Sequence, residues 1–257
     1  MTQYPITPRK RVDDVPPSKR KAILILSPHD LTRLEYEPQG NELLLNEQIY
    51  LLVSDVPDSP LKSKLENNGL LELGNLLIQS PYDTSDYALL DKVSSVFTLA
   101  KYLHFITLCG LLGARKVTVE QVEVKTSKGK QVFKGGVNSL YAKGNLEGES
   151  KIFEEIRNNI SIESRFNGAQ PDLERAEAHL RQYNLLDDTS MKSLIDQRRG
   201  SNPIKSRELN LSLSEESKKS LKIISDVKIP IYVDLQSQID QVKKEIYEFT
   251  LKIKVEF

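Results

Sequence analysis

The sequence predicts an α+β fold: a mostly antiparallel sheet, a long central apolar helix and additional peripheral helices. Three observations carry this. From Tyr247 to Phe257 the chain alternates without error, with Tyr247, Phe249, Leu251, Ile253, Val255 and Phe257 on one side and Glu248, Thr250, Lys252, Lys254 and Glu256 on the other. Such period-two alternation marks an amphipathic strand with one buried and one wet face. The run Val93 to Leu112 is instead apolar nearly all round, as a helix packed into a core must be. Finally, strand-like and helical segments mix without a βαβ rhythm, and Gly129, Gly135 and Gly136 suit hairpin connections.

The first 21 residues read as a flexible, basic, Pro-rich tail. They hold Pro5, Pro8, Pro16 and Pro17 and two basic triplets, Arg9, Lys10, Arg11 and Lys19, Arg20, Lys21, with too few apolar residues to fill a core. Residues 22–257 are expected to form a single domain. Ala22 to Leu26 predicts a buried strand stopped by Ser27-Pro28. Asn41 to Asp55 reads as strand rather than helix, and Leu61 to Gln79 as short pieces broken at Asn67, Asn68, Gly69 and Gly74. The long helix is expected to begin at Asp83, which can cap its free amides, and to end at Gly113.

Val117, Val119, Val122 and Val124 predict a strand, and the slip of phase between Val119 and Val122 predicts a bulge. Hairpin-like pieces follow to Ala142, and Ile160 and Ile162 suggest a short strand. Pro171 opens a helix bearing Leu173, Ala176, Leu180 and Tyr183, and a second runs from Ser190 to Arg199 and stops at Gly200. Leu209, Leu211 and Leu213 alternate as a strand, after which Ser214 caps a helix with Leu221 and Ile224. Ile229 to Leu235 alternates as a strand, with Pro230 at an edge or strand-start position, a helix carries the chain to Ile246, and the final strand follows.

In 257 residues, 36 Lys and Arg balance 36 Asp and Glu, so no global field draws nucleic acid or anionic lipid. The one cysteine, Cys109, lies in an apolar run and is expected to pack as a small hydrophobe. With no apolar core among its first residues to make a secretory signal, the chain is expected in the cytoplasm. Val93 to Ala114 is long enough to span a bilayer, but Lys101 and His104 in its middle favour a core helix, with Lys101 reaching a rim.

Two pairs could carry chemistry. Glu123-Val-Lys125 has the E-x-K form of a class of metal-dependent nucleases, in which carboxylates hold a hard divalent cation and the lysine stands near the attacking water. A solvated strand face explains the same two residues. His29-Asp30, after the first strand, could be an orienting pair for acid–base work or simply a helix cap. Three isolated histidines and one cysteine give no zinc spacing, and the glycines match no phosphate-loop pattern, so no cofactor is expected. The tail triplets, Lys125 to Lys134 and Arg198 to Arg207 would contact phosphates only if they converged.

The expected role is a non-catalytic protein-interaction or assembly subunit of a cytoplasmic complex, with the basic tail as a contact and a protein partner or second copy as its target. Three alternatives stand beside it: a membrane-active or pore-forming effector using amphipathic strands, a metal-dependent nuclease or other hydrolase using Glu123 and Lys125, and a nucleic-acid-binding module using local basic patches.

Overall fold

The computed structural model describes residues 16–36, 40–55, 59–126, 129–134, 155–156, 158–225, 239 and 248–257. In chain order these form β1 (Ala22–Leu26), α1 (Pro28–Tyr36), α2 (Gly40–Leu44), β2 (Ile49–Val53), α3 (Pro60–Asn67), β3 (Leu76–Gln79), β4 (Tyr87–Leu89) and α4 (Val93–Leu111). There follow β5 (Lys116–Thr126), β6 (Gly129–Lys134), β7 (Glu163–Arg165), α5 (Leu173–Gln182), α6 (Thr189–Arg198), β8 (Ser206–Ser212), α7 (Glu215–Ser225) and β9 (Glu248–Glu256). The fold is α+β, and its strands divide between two mostly antiparallel sheets.

The first sheet has the order β2-β1-β3-β4, and β1 and β2 are its parallel pair. Parallel neighbours need a crossover, which α1 and α2 supply. All five residues of β1 are buried because both faces of this sheet are covered, so the strand reads as a continuous apolar run. On one face Ile23, Ile25, Leu52 and Leu77 meet Leu61 and Leu65 of α3. On the other, Leu24, Leu26 and Ile78 join a core that runs past Phe97, Phe105 and Leu108 of α4 to the second sheet.

That second sheet runs β6-β5-β9-β8, with β7 also paired to β5. It has one dry face, made by Val117, Val119, Val122 and Val124 of β5 and Phe249, Leu251, Ile253 and Val255 of β9. The expected bulge is present: Val119 faces Ile253, the next pair is Gln121 with Lys252, and Glu120 is the extra residue. The terminal strand lies inside this sheet, hydrogen-bonded to β5 and β8.

Several elements differ from expectation. Asn41 to Asp55 splits into α2 and β2, since leucines such as Leu43 fit a core from either conformation. α4 begins at Val93 rather than Asp83: Asp83 accepts instead from the Ser85 amide at 2.8 Å in a turn, and Tyr87–Leu89 pairs with β3. The short strand near Ile160 and Ile162 sits one step later, at Glu163–Arg165. The end of α4 is as expected. Gly113 has φ +77°, its amide bonds the Gly110 carbonyl and the Ala114 amide bonds the Cys109 carbonyl, both at 3.0 Å, the Schellman pattern. A Cβ there would also stand 2.1 Å from the Ala169 carbonyl oxygen, so only glycine fits.

The residues from Pro16 to Lys21, assigned by sequence to the tail, are tied to the first sheet: the Lys21 amide bonds the Gln48 carbonyl and Lys21 accepts from the Gln79 amide. Arg9, Lys10 and Arg11, the pieces from Gly135 to Ala142, and the strand and helix expected between Ile229 and Ile246 lie outside the described residues, apart from buried, helical Ile239.

Candidate functional site

α4 is the most apolar helix of the described chain, yet its middle carries a lysine. Lys101 does not reach a rim, as the sequence suggested: its side chain is 0% exposed. A buried ammonium persists only where counter-charges meet it. Its Nζ donates to both Glu216 carboxylate oxygens at 2.8 Å and stands 2.8 Å from Asp188 Oδ2. Asp188 is the N-cap of α6, accepting from the Met191 amide at 2.9 Å, and Glu216 lies in the first turn of α7. Two carboxylates on one lysine leave an excess negative charge, which the positive ends of those two helices stabilise. One cation thereby ties three helices together.

An aromatic layer continues from this cluster. The Tyr82 ring lies 6.5 Å from Phe97 and 5.5 Å from His104, and its hydroxyl is pushed well above its ordinary range by burial and by the charges of Glu216 and Asp188. His104 stacks 4.1 Å from Tyr183 and 5.2 Å from His179, and His179 stands 4.9 Å from Tyr183. Burial, helped by His179, lowers the His104 pKa to about 4, and burial lowers His179 also. A histidine whose pKa falls on folding is neutral in the native state and takes up its proton on unfolding. Stability is therefore full above the ordinary value near 6.5 and falls as pH drops toward 4. Allowing for water at the half-buried ring, His104 should account for about 1–2 kcal/mol of acid destabilisation. Urea midpoints compared at pH 7 and pH 4.5 should show this loss, and His104→Phe should flatten it.

The residues singled out from sequence stand apart from this cluster. Glu123 and Lys125 lie on the wet face of β5, where Lys130 stands 2.9 Å from Glu123 and Glu248 stands 3.5 Å from Lys125. Among the described residues, no group of three or more His, Cys, Asp or Glu is placed to hold a metal ion. Asp30 is engaged in a capping box at the start of α1: it accepts from the Ser27 hydroxyl at 2.6 Å, and its own amide donates to that hydroxyl at 3.1 Å. That bond above all holds its carboxyl below the usual range. His29 is exposed, 3.9 Å from Asp30.

The described arginines of the stretch Arg198 to Arg207 are engaged within the fold. Arg198 donates to the carbonyls of Leu112 and Ile204 and covers the Phe257 ring at 4.3 Å, Arg199 pairs with Glu177, and Arg207 bonds Ser193 and Gln197. The wet face of the second sheet mixes both signs, with Lys252 between Glu120 and Glu208 and Lys254 beside Glu256. Of the second tail triplet, Lys19 is exposed, Lys21 is half-buried and Arg20 is buried.

The face of α4 turned away from Lys101 is apolar as well. Val96 is 41% and Leu103 60% exposed, with half-buried Leu99, Ala100 and Ile106 completing a stripe at helical spacing. Beside its N-terminal half lies an open groove of about 500 Å³, bounded by Leu70, Tyr87, Leu89, Val96 and Ala100. The stretch Leu90–Leu111 is also long and apolar enough to cross a membrane, with 56% of its window buried in the fold. Sequence reasoning found the helix but neither its ion cluster nor its outward stripe. The lysine in an apolar run was the one signal for the first. No family model, curated protein or solved structure matches the chain.

Proposed function

We propose that the protein is a non-catalytic interaction or assembly subunit that docks through the outward face of α4. The observation that carries this reading is the exposure of Val96 and Leu103 in line with Leu99, Ala100 and Ile106 on the most apolar of the described helices. Contiguous apolar surface in contact with water costs free energy, and a partner's apolar surface removes that cost. The buried ion cluster supports it from behind, because Lys101, Asp188 and Glu216 fix the helix in one position and so present its outer stripe preformed. Among the described residues, no set of metal-ligating side chains favours a metal-dependent hydrolase. The buried free thiol of Cys109 is in keeping with a reducing, cytoplasmic setting.

The test is the mass of the protein recovered from its native source. The expected result is a species heavier than the 29.2 kDa chain, which returns to 29.2 kDa in a Val96→Glu, Leu103→Glu variant with unchanged circular dichroism. A chain that is monomeric and alone before any substitution overturns the proposal.

A further inference from the structure

The first sheet ends, where β1 begins, in a row of polar side chains. Backbone hydrogen bonds put Gln48, Lys21 and Gln79 side by side, and Gln79 is in register with Tyr87. The Gln79 side chain is buried and fully used: its amide nitrogen donates to the carbonyls of Pro17 and Thr84, and its oxygen accepts from Lys21 Nζ at 3.4 Å. This pins the turn Pro17–Lys19 onto the sheet and draws Arg20 inside, where it is 6% exposed.

Among the described residues, Arg20 is the buried cation with unpartnered nitrogens. Its Nε and Nη1 are closed off from solvent and donate to no protein atom. The Tyr87 hydroxyl is also buried, with the Gln79 side chain as its polar neighbour and no hydrogen bond of good geometry. The guanidinium charge acts on the hydroxyls of both Tyr50 and Tyr87, so the groups share one neighbourhood; burial is the main cause holding both hydroxyls above their ordinary range, and Arg20 opposes it. A buried charge without a counter-charge is among the costliest arrangements a fold can keep. The other buried cations among the described residues are partnered: Lys101 meets two carboxylates, and Arg198 meets two carbonyls and an aromatic ring. Among the described residues no acid fills the gap. Asp86 is paired with Lys64 at 2.5 Å, and Glu47 acts on Tyr50.

We propose that Arg20, Lys21 and Tyr87 form a binding site for a phosphate group. Lys19, Arg20 and Lys21 against Glu47 leave a local excess of positive charge that matches the roughly −1.5 to −2 charge of a phosphomonoester better than the single charge of a carboxylate. The donors are of the kinds that grip such an anion: guanidinium and ammonium groups and a phenolic hydroxyl. Tyr87 also borders the open groove beside α4.

Thermal unfolding of the full-length protein in potassium phosphate, with potassium chloride and potassium acetate at matched ionic strength as controls, tests the site. Phosphate at some 20 times its Kd should raise Tm by about 3–6 °C, with no comparable rise in chloride or acetate. Tyr87→Phe keeps the ring and should weaken phosphate binding about tenfold. Arg20→Met should abolish the shift and, in phosphate-free buffer, should melt at or above the wild-type temperature, because it removes an unpaired buried charge. An equal phosphate shift in Arg20→Met, an equal effect of acetate, or an Arg20→Met protein that melts far below wild type without phosphate would each overturn the proposal. A second arm with glycerol phosphate separates the sources: affinity equal to that of orthophosphate assigns the site to an esterified ligand, and a tenfold preference for orthophosphate assigns it to the free ion.

Discussion

Lys101→Met should destabilise the protein by about 3–5 kcal/mol, more than other single changes on α4, because it strands Asp188 and Glu216 beside each other without their cation. Methionine has nearly the length of lysine and packs well, so the loss would not come from a cavity. The Asp188 and Glu216 side chains are only 10% and 18% exposed, and water cannot take over the role of the ammonium. The triple variant Lys101→Met, Asp188→Asn, Glu216→Gln should recover most of the loss. Asparagine still caps α6 through the Met191 amide, and the neutral set no longer repels itself. Urea titrations of the wild type, single and triple variants measure this directly. If the single variant were as stable as the wild type, the ion cluster would not be what fixes α4 to α6 and α7.

That cluster shows why part of the site could be read from sequence and part could not. Lysine in an apolar run announces an unusual burial, but Glu216 is 115 residues away along the chain, and nothing local links the two. The helix starts read at Pro171 and Ser190 fall within two residues of the true caps, Asp172 and Asp188, each of which accepts from the amide three residues on. The Ser27-x-x-Asp30 box is legible for the same reason, which is why acid–base chemistry at His29-Asp30 competed with a structural reading from the start. The phase slip in β5 fixed its bulge, because period two leaves no other way to keep Val119 and Val122 on one face. The start of α4 was hidden. Tyr87–Leu89 is too short to show alternation, and only its pairing with β3 makes it a strand. The burial of Arg20 was equally hidden, since a basic triplet among prolines has the composition of a tail until Gln79 holds the turn against the sheet.

Removing Leu251 to Phe257 should abolish folding altogether. β9 is an interior strand of the second sheet, with β5 on one side and β8 on the other, so the truncation removes two ladders rather than one edge. Leu251, Ile253 and Val255 are each 0% exposed, and burial of three such side chains is worth about 5–9 kcal/mol as an upper figure. That is comparable to the entire stability of an ordinary domain, about 5–15 kcal/mol. The loss of Phe257 further uncovers Arg198, which would keep its two carbonyl partners but lose the ring beneath it. With the strand gone, β5 and β8 would present open edges, and the expected product is an aggregating, partly helical chain without a cooperative melt. The effect should follow the alternation residue by residue. Ile253→Ala, on the dry face, should cost about 2–5 kcal/mol, and Thr250→Ala, on the wet face, about 0.5 kcal/mol or less. Urea denaturation of the two point variants and a melting scan of the truncated chain provide the measurement. A truncated protein that melts with the full-length profile, or equal losses from the two faces, would mean that the second sheet does not depend on β9 as its geometry requires.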